Sequence, residues 1–273
     1  MWNDEQIEQF ADDYDRDGVV RIAGALDPTE VSELSERIMA ILDRYGETAK
    51  ISDNMVVVKY DGGAYVEFLS RDDQAFMRHL LASRLPQLAA RIMRIGKVTF
   101  WRDEAHFKQR GNATNKTPWH HGAGSFPFKG RQILTIWVPL TPITMEDSPL
   151  QSILGTHRQQ AVRYRPPTRT DAPDIPGYAD IPDFDAQIAR GELDVATWTS
   201  APGDAVLFHP FSVHGAPPNT GGRDRLAYVS RWLGDDALWQ PDAFSVNDMG
   251  AEAELIVDGR PTGPLFPQLT VGR

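Results

Sequence analysis

Apolar positions recur with a helical period through the first third of the chain. Glu5 to Tyr14 reads as a short helix, and Gly18 to Ile22 as an edge strand. Asp27 suits a helix N-cap because its carboxylate can accept from the free amides of the first turn. Pro28 at the first helical position has no amide to lose, and Glu30 complements the first-turn dipole. Val31, Leu34, Ile38, Ile41 and Leu42 then hold one apolar stripe, read as core packing, and Gly46 can close the helix. Met55 to Tyr60 reads as a strand within an otherwise ambiguous stretch from Ile51 to Leu69, followed by the turn signal Asp61-Gly62-Gly63. Residues 72–94 are helical in pattern, but Pro86 should divide them into two helices.

From Lys97 the period changes to that of strands. Lys97–Trp101 and Ala105–Lys108 read as two strands, and residues 111–117 as a loop. Arg131 to Leu140, rich in β-branched and aromatic residues, gives the strongest strand signal. Pro142 to Pro149 is a turn. Arg165 to Gly191 is crowded with proline and aspartate and lacks periodicity, which suits a lid or insert over a site mouth, or a solvated surface excursion. Ala205–Phe208, Arg225–Trp232 and Leu255–Val257 complete the strands. Helices first and many short strands later predict a mainly β (α+β) chain, a double-stranded β-helix of the jelly-roll or cupin-like class buttressed by N-terminal helices. The expected organisation is one domain over 1–273, with a helical buttress at 1–96, a barrel at 97–273 and the insert at 165–191.

Composition narrows the function classes. A formal net charge of -10 argues against a nucleic-acid polymer as partner, since phosphate backbones need a basic face. The absence of cysteine excludes disulfides, cysteine–zinc sites and thiol nucleophiles. The start of the chain has neither a basic n-region nor an apolar core, and no apolar run is long enough to span a bilayer. The expectation is a soluble cytoplasmic protein with no membrane partner.

The chemistry-bearing stretch is Thr117 to Pro127, which contains Trp119-His120-His121-Gly122. On an extended strand, His120 and residue 122 face one way and His121 the other. A histidine and a carboxylate so spaced, with a distant second histidine, form the 2-His-1-carboxylate face that binds non-haem iron. Here position 122 is glycine, and the carboxylate is missing.

Further motifs follow in order: Asp147-Ser148-Pro149-Leu150, Gly155-Thr156-His157, Gly203-Asp204, His214-Gly215, Pro218-Asn219 and Arg225. Together with Trp119-His120 and Pro127 they resemble the phytanoyl-CoA dioxygenase family of Fe(II)/2-oxoglutarate enzymes, over roughly residues 10–233. The resemblance implies the jelly-roll barrel, Fe(II), 2-oxoglutarate and O2 as cofactors, and His120 and His214 as iron ligands. It implies that Arg225 grips a carboxylate of 2-oxoglutarate, a task suited to a guanidinium fork. Lys108 matches a family lysine near that ligand, and Trp137 and Ala216 match pocket-lining positions. Thr135 shares a strand face with Trp137. The other histidines (His79, His106, His121, His157 and His209) read as structural, and Arg223 and Arg231 as surface charge or barrel-end pairs.

Gly122 is the departure from the family pattern. It leaves one coordination position without a protein ligand, one negative charge short and with room beside it. A chloride ion fits both deficits, and Fe(II)/2-oxoglutarate halogenases carry glycine or alanine at this position. The resemblance therefore implies chlorination of an unactivated aliphatic carbon. The alternatives are a hydroxylase whose two-histidine centre takes water, including one in which Gly122 is an engineered replacement, and a non-catalytic binding module on the same fold.

The substrate is expected to be a small molecule. Lys108, Arg110, Lys116, Lys129, Arg131, Arg158, Arg163 and Arg165 flank the motifs, a local basic excess that suits a nucleotide or other anionic metabolite, or is ordinary surface charge. A carrier-tethered amino acid is the main alternative. Phe126, Trp101 and Arg131 are the candidate substrate residues. Trp101, Phe126, Phe128 and Tyr164 could stack on a ring, although aromatics in a barrel are usually core.

Overall fold

The structure is a computed structural model that describes residues 2–50, 55–167, 174–245 and 255–271. Helix α1 (Asp4–Asp17) starts at an Asn3 capping box and ends at Gly18, whose left-handed φ of 78° lets the chain turn into strand β1 (Val19–Ile22). Helix α2 (Pro28–Arg44) begins as its sequence demands. The Asp27 carboxylate accepts from the Thr29 and Glu30 amides, and Glu30 accepts from the Asp27 amide. Its stripe Val31, Leu34, Ile38 and Leu42 is buried, and Ile38 is wholly so, a site where truncation to alanine costs about 2–5 kcal/mol. The helix ends at Arg44, ahead of Gly46.

Strand β2 (Ala49–Lys50) leads to the hairpin β3 (Val56–Tyr60) and β4 (Gly63–Glu67). Three short helices follow: α3 (Leu69–Asp72), α4 (Gln74–Ala82) and α5 (Leu85–Ile92), with Pro86 in the first turn of the last. Next comes β5 (Lys97–Lys108), one twelve-residue strand where two were expected. The barrel continues with β6 (Thr117–His120), β7 (Phe128–Lys129), β8 (Ile133–Pro139) and β9 (Gln151–Ile153). The stretch expected as a lid holds β10 (Arg163–Tyr164), β11 (Tyr178–Ala179) and helix α6 (Phe184–Ala189); residues 168–173 lie outside the described residues. Then come β12 (Val195–Thr197), β13 (Ala205–Phe208), β14 (His214–Ala216), β15 (Arg225–Leu233), β16 (Leu238–Trp239), β17 (Ile256–Val257), β18 (Arg260–Pro261) and β19 (Gln268–Thr270).

Two antiparallel sheets face each other. The larger runs β1-β13-β8-β15-β5-β4-β3-β2 with β19 also on β5, and the smaller runs β12-β9-β14-β6. This is the jelly-roll, cupin-like architecture, mostly β with few helices. The main core lies between the helices and the outer face of the large sheet, where Val57, Ala64, Val66, Ala105, Leu226 and Tyr228 are buried. The inner face of that sheet and the small sheet enclose the site. Among the described residues no helix is long and apolar enough to cross a membrane.

Candidate active site

His120 on β6 and His214 on β14 are directly paired across the small sheet, with ring centroids 4.3 Å apart. Each ring is tied to its own strand two residues back. His120 Nδ1 donates to the Pro118 carbonyl at 2.8 Å and His214 Nδ1 to the Ser212 carbonyl at 2.9 Å. That bond fixes the tautomer, so each Nε2 carries the lone pair a metal needs. Burial, and for His214 the neighbouring His120, pushes both imidazoles below their ordinary pKa and keeps them neutral.

Both rings line a cavity of about 210 Å³. Gly122, Phe126, Thr135, Trp137, Ala216 and Arg225 line it too, and Lys108 does not. Trp101 does not; it is wholly buried behind Phe126, edge-to-face at 4.9 Å. Arg131 is exposed and lies outside this cavity's lining.

Arg225 lines the cavity, and Lys108 is buried beside it, outside the lining. They are direct cross-strand partners on β15 and β5, only 4% and 2% exposed. Like charges placed opposite each other repel, and among the described residues neither has a carboxylate partner. Arg225 instead donates to the Ser148 carbonyl at 2.8 Å, and its Nε has no partner. Lys108 donates to the Ser148 hydroxyl at 3.1 Å. Burial, then repulsion from Arg225, lowers the Lys108 pKa to about 6; burial lowers that of Arg225 to about 10. Arg225 is thus the lasting cation of the pair, with a largely neutral Lys108 amine beside it, and a guanidinium fork suits an anion with two oxygens.

Position 122 differs from expectation in two ways. The strand stops at His120, and Gly122–Gly124 form a 3-10 turn, so strand alternation does not reach residue 122. Nor is there empty room beside the glycine: a Cβ on it would stand 2.6 Å from Phe126 Cζ and 2.9 Å from Cε1. Among the described residues no three His, Asp or Glu side chains cluster to hold a metal. His121 is buried against Tyr164 and Phe211, with its Nδ1 facing the Gly124 amide and its Nε2 the Tyr164 amide, of which a neutral ring accepts one.

One feature of the wall escaped sequence reasoning. Arg231, expected at the surface or a barrel end, lines the cavity together with Glu104 and His106. The guanidinium sits 5.0 Å over the Phe126 ring and pairs with both Glu104 oxygens, one at 3.0 Å. Glu104 also meets Arg102 at 2.9 Å and His106 Nε2 at 3.1 Å. Burial opposes ionisation of Glu104, but Arg231 and Arg102 outweigh it and hold the carboxyl well below its usual range. The i, i+2 spacing of Arg102, Glu104, His106 and Lys108 on one strand face was the available signal.

Four of the basic residues flanking the motifs are paired with carboxylates outside the cavity lining: Lys116 with Asp185, Lys129 and Arg163 with Asp242, Arg165 with Asp174. Asp185 also accepts from Trp119 Nε1 at 2.8 Å, pinning α6 to the strand that carries His120.

Residues 14–227 match the phytanoyl-CoA dioxygenase (PhyH) family. A probable phytanoyl-CoA dioxygenase from Caenorhabditis elegans is 28% identical over 127 residues, which is 46% of this chain and 39% of that protein, so the match spans well under half of its relative. Among solved structures, the non-heme alpha ketoglutarate dependent epimerase SnoN from nogalamycin biosynthesis superposes with a TM-score of 0.73 at 25% identity, covering 99% of this chain and 98% of that one. The carbocyclase SnoK from the same biosynthesis gives 0.72 at 22% identity, covering 96% of both chains. SnoN has also been solved with Fe3+, alpha ketoglutarate and nogalamycin RO, at 24% identity and a TM-score of 0.72 over 97% of this chain and 99% of that one.

Proposed function

The chain belongs to the phytanoyl-CoA dioxygenase family, and on that footing we propose that it is an Fe(II)/2-oxoglutarate-dependent halogenase acting on an aliphatic carbon of a small molecule. Bound iron and 2-oxoglutarate supply O2-driven removal of a hydrogen atom from an unactivated carbon. His120 and His214 would hold the iron through Nε2, which both present toward the cavity in the neutral form. Arg225 would take a carboxylate of 2-oxoglutarate, whose negative charge would favour the protonated form of Lys108 beside it. The Trp137 ring, 5.6 Å from the Arg225 guanidinium, keeps that side chain in place.

The observation that carries the halide is the absence of a carboxylate at 122 in a cavity with a positive surplus. Arg225 and Arg231 line it against one acid, Glu104, whose two oxygens are already engaged. A family member with aspartate at this position would supply the balancing charge from the protein; here a mobile anion does. Phe126 stands where the missing side chain would be, so the halide would sit at the metal's open position only as that ring gives way.

A second reading has its own support. SnoN and SnoK, similar along almost the whole chain, are named as an epimerase and a carbocyclase. In that reading water takes the metal's open position and the outcome is oxidative chemistry without halogen. The two separate in an anaerobic titration of the Fe(II)/2-oxoglutarate complex with chloride, followed by its visible charge-transfer band. A saturable shift, lost in Gly122→Asp combined with Phe126→Leu, is the halogenase result. A band indifferent to chloride gives the oxidative reading, and no band means that the two histidines hold no iron.

A further inference from the structure

The two faces of the β3–β4 hairpin are unlike. Val57, Ala64 and Val66 are buried against the helices. The opposite face carries Val56, Val58 and Tyr65, all partly exposed, and Tyr60, 42% exposed. Besides Glu67, this second face carries two valines and two tyrosines within reach of solvent.

Register shows where that face leads. Tyr65 is paired with His106 and Gly63 with Lys108 on β5, while Lys108 is paired with Arg225 on β15. Paired positions share a face, so the tyrosine face and the cavity face are one surface. The rings are continuous along it: Tyr60 to Tyr65 at 6.5 Å, then Tyr65 stacked on His106 at 6.1 Å and 30°. His106 is where this ledge enters the cavity, and there it is held by Glu104, itself clamped by Arg231.

We propose that this hairpin face is the substrate platform, on which Tyr60, Tyr65 and His106 stack a flat, conjugated ring system while the Glu104–His106–Arg231 chain orients a polar substituent at the cavity mouth. The substrate class is then a planar ring compound bearing a hydroxyl or carbonyl, with the aliphatic carbon to be attacked projecting inward. This inference rests on reading the cavity as the reaction chamber. Two partly exposed tyrosines and an imidazole in sequence favour a π-face over a saturated ring of equal area, because ring–ring contacts add to simple burial. The hairpin is also rigidly registered to the strand that carries Lys108, so a ring seated on it has a fixed position relative to the site.

The test uses naphthol and its saturated counterpart decalol, titrated by calorimetry into the full-length protein with and without Fe(II) and 2-oxoglutarate. Naphthol should bind about tenfold more tightly than decalol. Tyr65→Leu and Tyr60→Leu should each weaken naphthol about three- to tenfold and leave decalol unchanged, whereas Tyr65→Phe retains binding. Equal affinity for the two probes, or naphthol binding that ignores both leucine variants, overturns the platform. Tyr60 is exposed enough for its variant to fold whatever happens at Tyr65. The charge-transfer band, read in the same samples, reports the iron site separately. A band without ring preference sinks the platform alone, and ring preference without a band sinks the iron reading alone.

Discussion

Gly122→Ala isolates the contact that distinguishes this site. The glycine does not sit at positive φ, so alanine meets no backbone penalty, and the lost chain entropy alone would favour it by about 0.4–1 kcal/mol. Its methyl would, however, lie 2.6, 2.9 and 3.2 Å from three ring atoms of Phe126. Ordinary carbon contacts need about 3.5–4.0 Å, so the ring must retreat by roughly 1 Å. It has nowhere easy to go: Phe126 is 5% exposed, backed by Trp101 at 0% and capped by the Arg231 guanidinium. Overpacking of this kind costs about 1–3 kcal/mol, leaving a net loss of about 1–2 kcal/mol. For a chain this long that is a fall in Tm of about 2–8 °C. In a Phe126→Leu background the alanine should cost at least about 1 kcal/mol less, a coupling of the size contacting residues show. Thermal and urea unfolding of the four proteins completes the cycle. An alanine that is neutral in the Phe126 background, or equally costly in both, would refute the assignment of Phe126 as the occupant of the missing side chain's place.

Arg225→Met should leave the ligand-free protein as stable or more stable, since it removes a buried, unpaired cation, while weakening 2-oxoglutarate binding at least about tenfold; melts with and without 2-oxoglutarate read both. Lys108 has a folded pKa of about 6 against 10.5 for the free side chain, so between those values the unfolded chain binds more protons and stability rises with pH, by up to about 1.4 kcal/mol per unit. With no cysteine and the buried histidines already neutral, urea unfolding from pH 7 to 9 should show that slope, and Lys108→Met should flatten it. Asp185→Ala should cost about 0.5–1.5 kcal/mol and speed proteolytic cleavage within 165–191, because α6 loses its hydrogen bond to Trp119; an unchanged cleavage rate would mean that other contacts hold the segment.

What was legible in the sequence followed from local rules. The Asp27-Pro28 start of α2, the break at Pro86 and the β1 edge strand each rest on one cap, one ring or one turn. The pairing of His120 with His214, and of Lys108 with Arg225, depends on register between strands far apart in the chain; motif order hinted at it and spacing alone did not. Strand β5 was split because Arg102, Asp103 and Glu104 interrupt its apolar pattern. All three are buried, and long-range partners such as Arg231 for Glu104 and Tyr228 for Asp103 make that possible. Phe126 was read as a ring for stacking substrate, and that it fills the space over Gly122 could be known only from the turn that ends β6.

The hydrogen bonds that aim the two imidazoles go to backbone carbonyls two residues back, those of Pro118 and Ser212. A backbone carbonyl survives any substitution at its own residue, and even proline supplies it. These two anchors therefore persist whatever side chain stands at 118 or 212. A side chain restored at 122 would meet the Phe126 ring, so passage between glycine and a carboxylate needs both positions to change together. For engineering, positions 122 and 126 form a two-residue dial that can be turned with the histidines left alone.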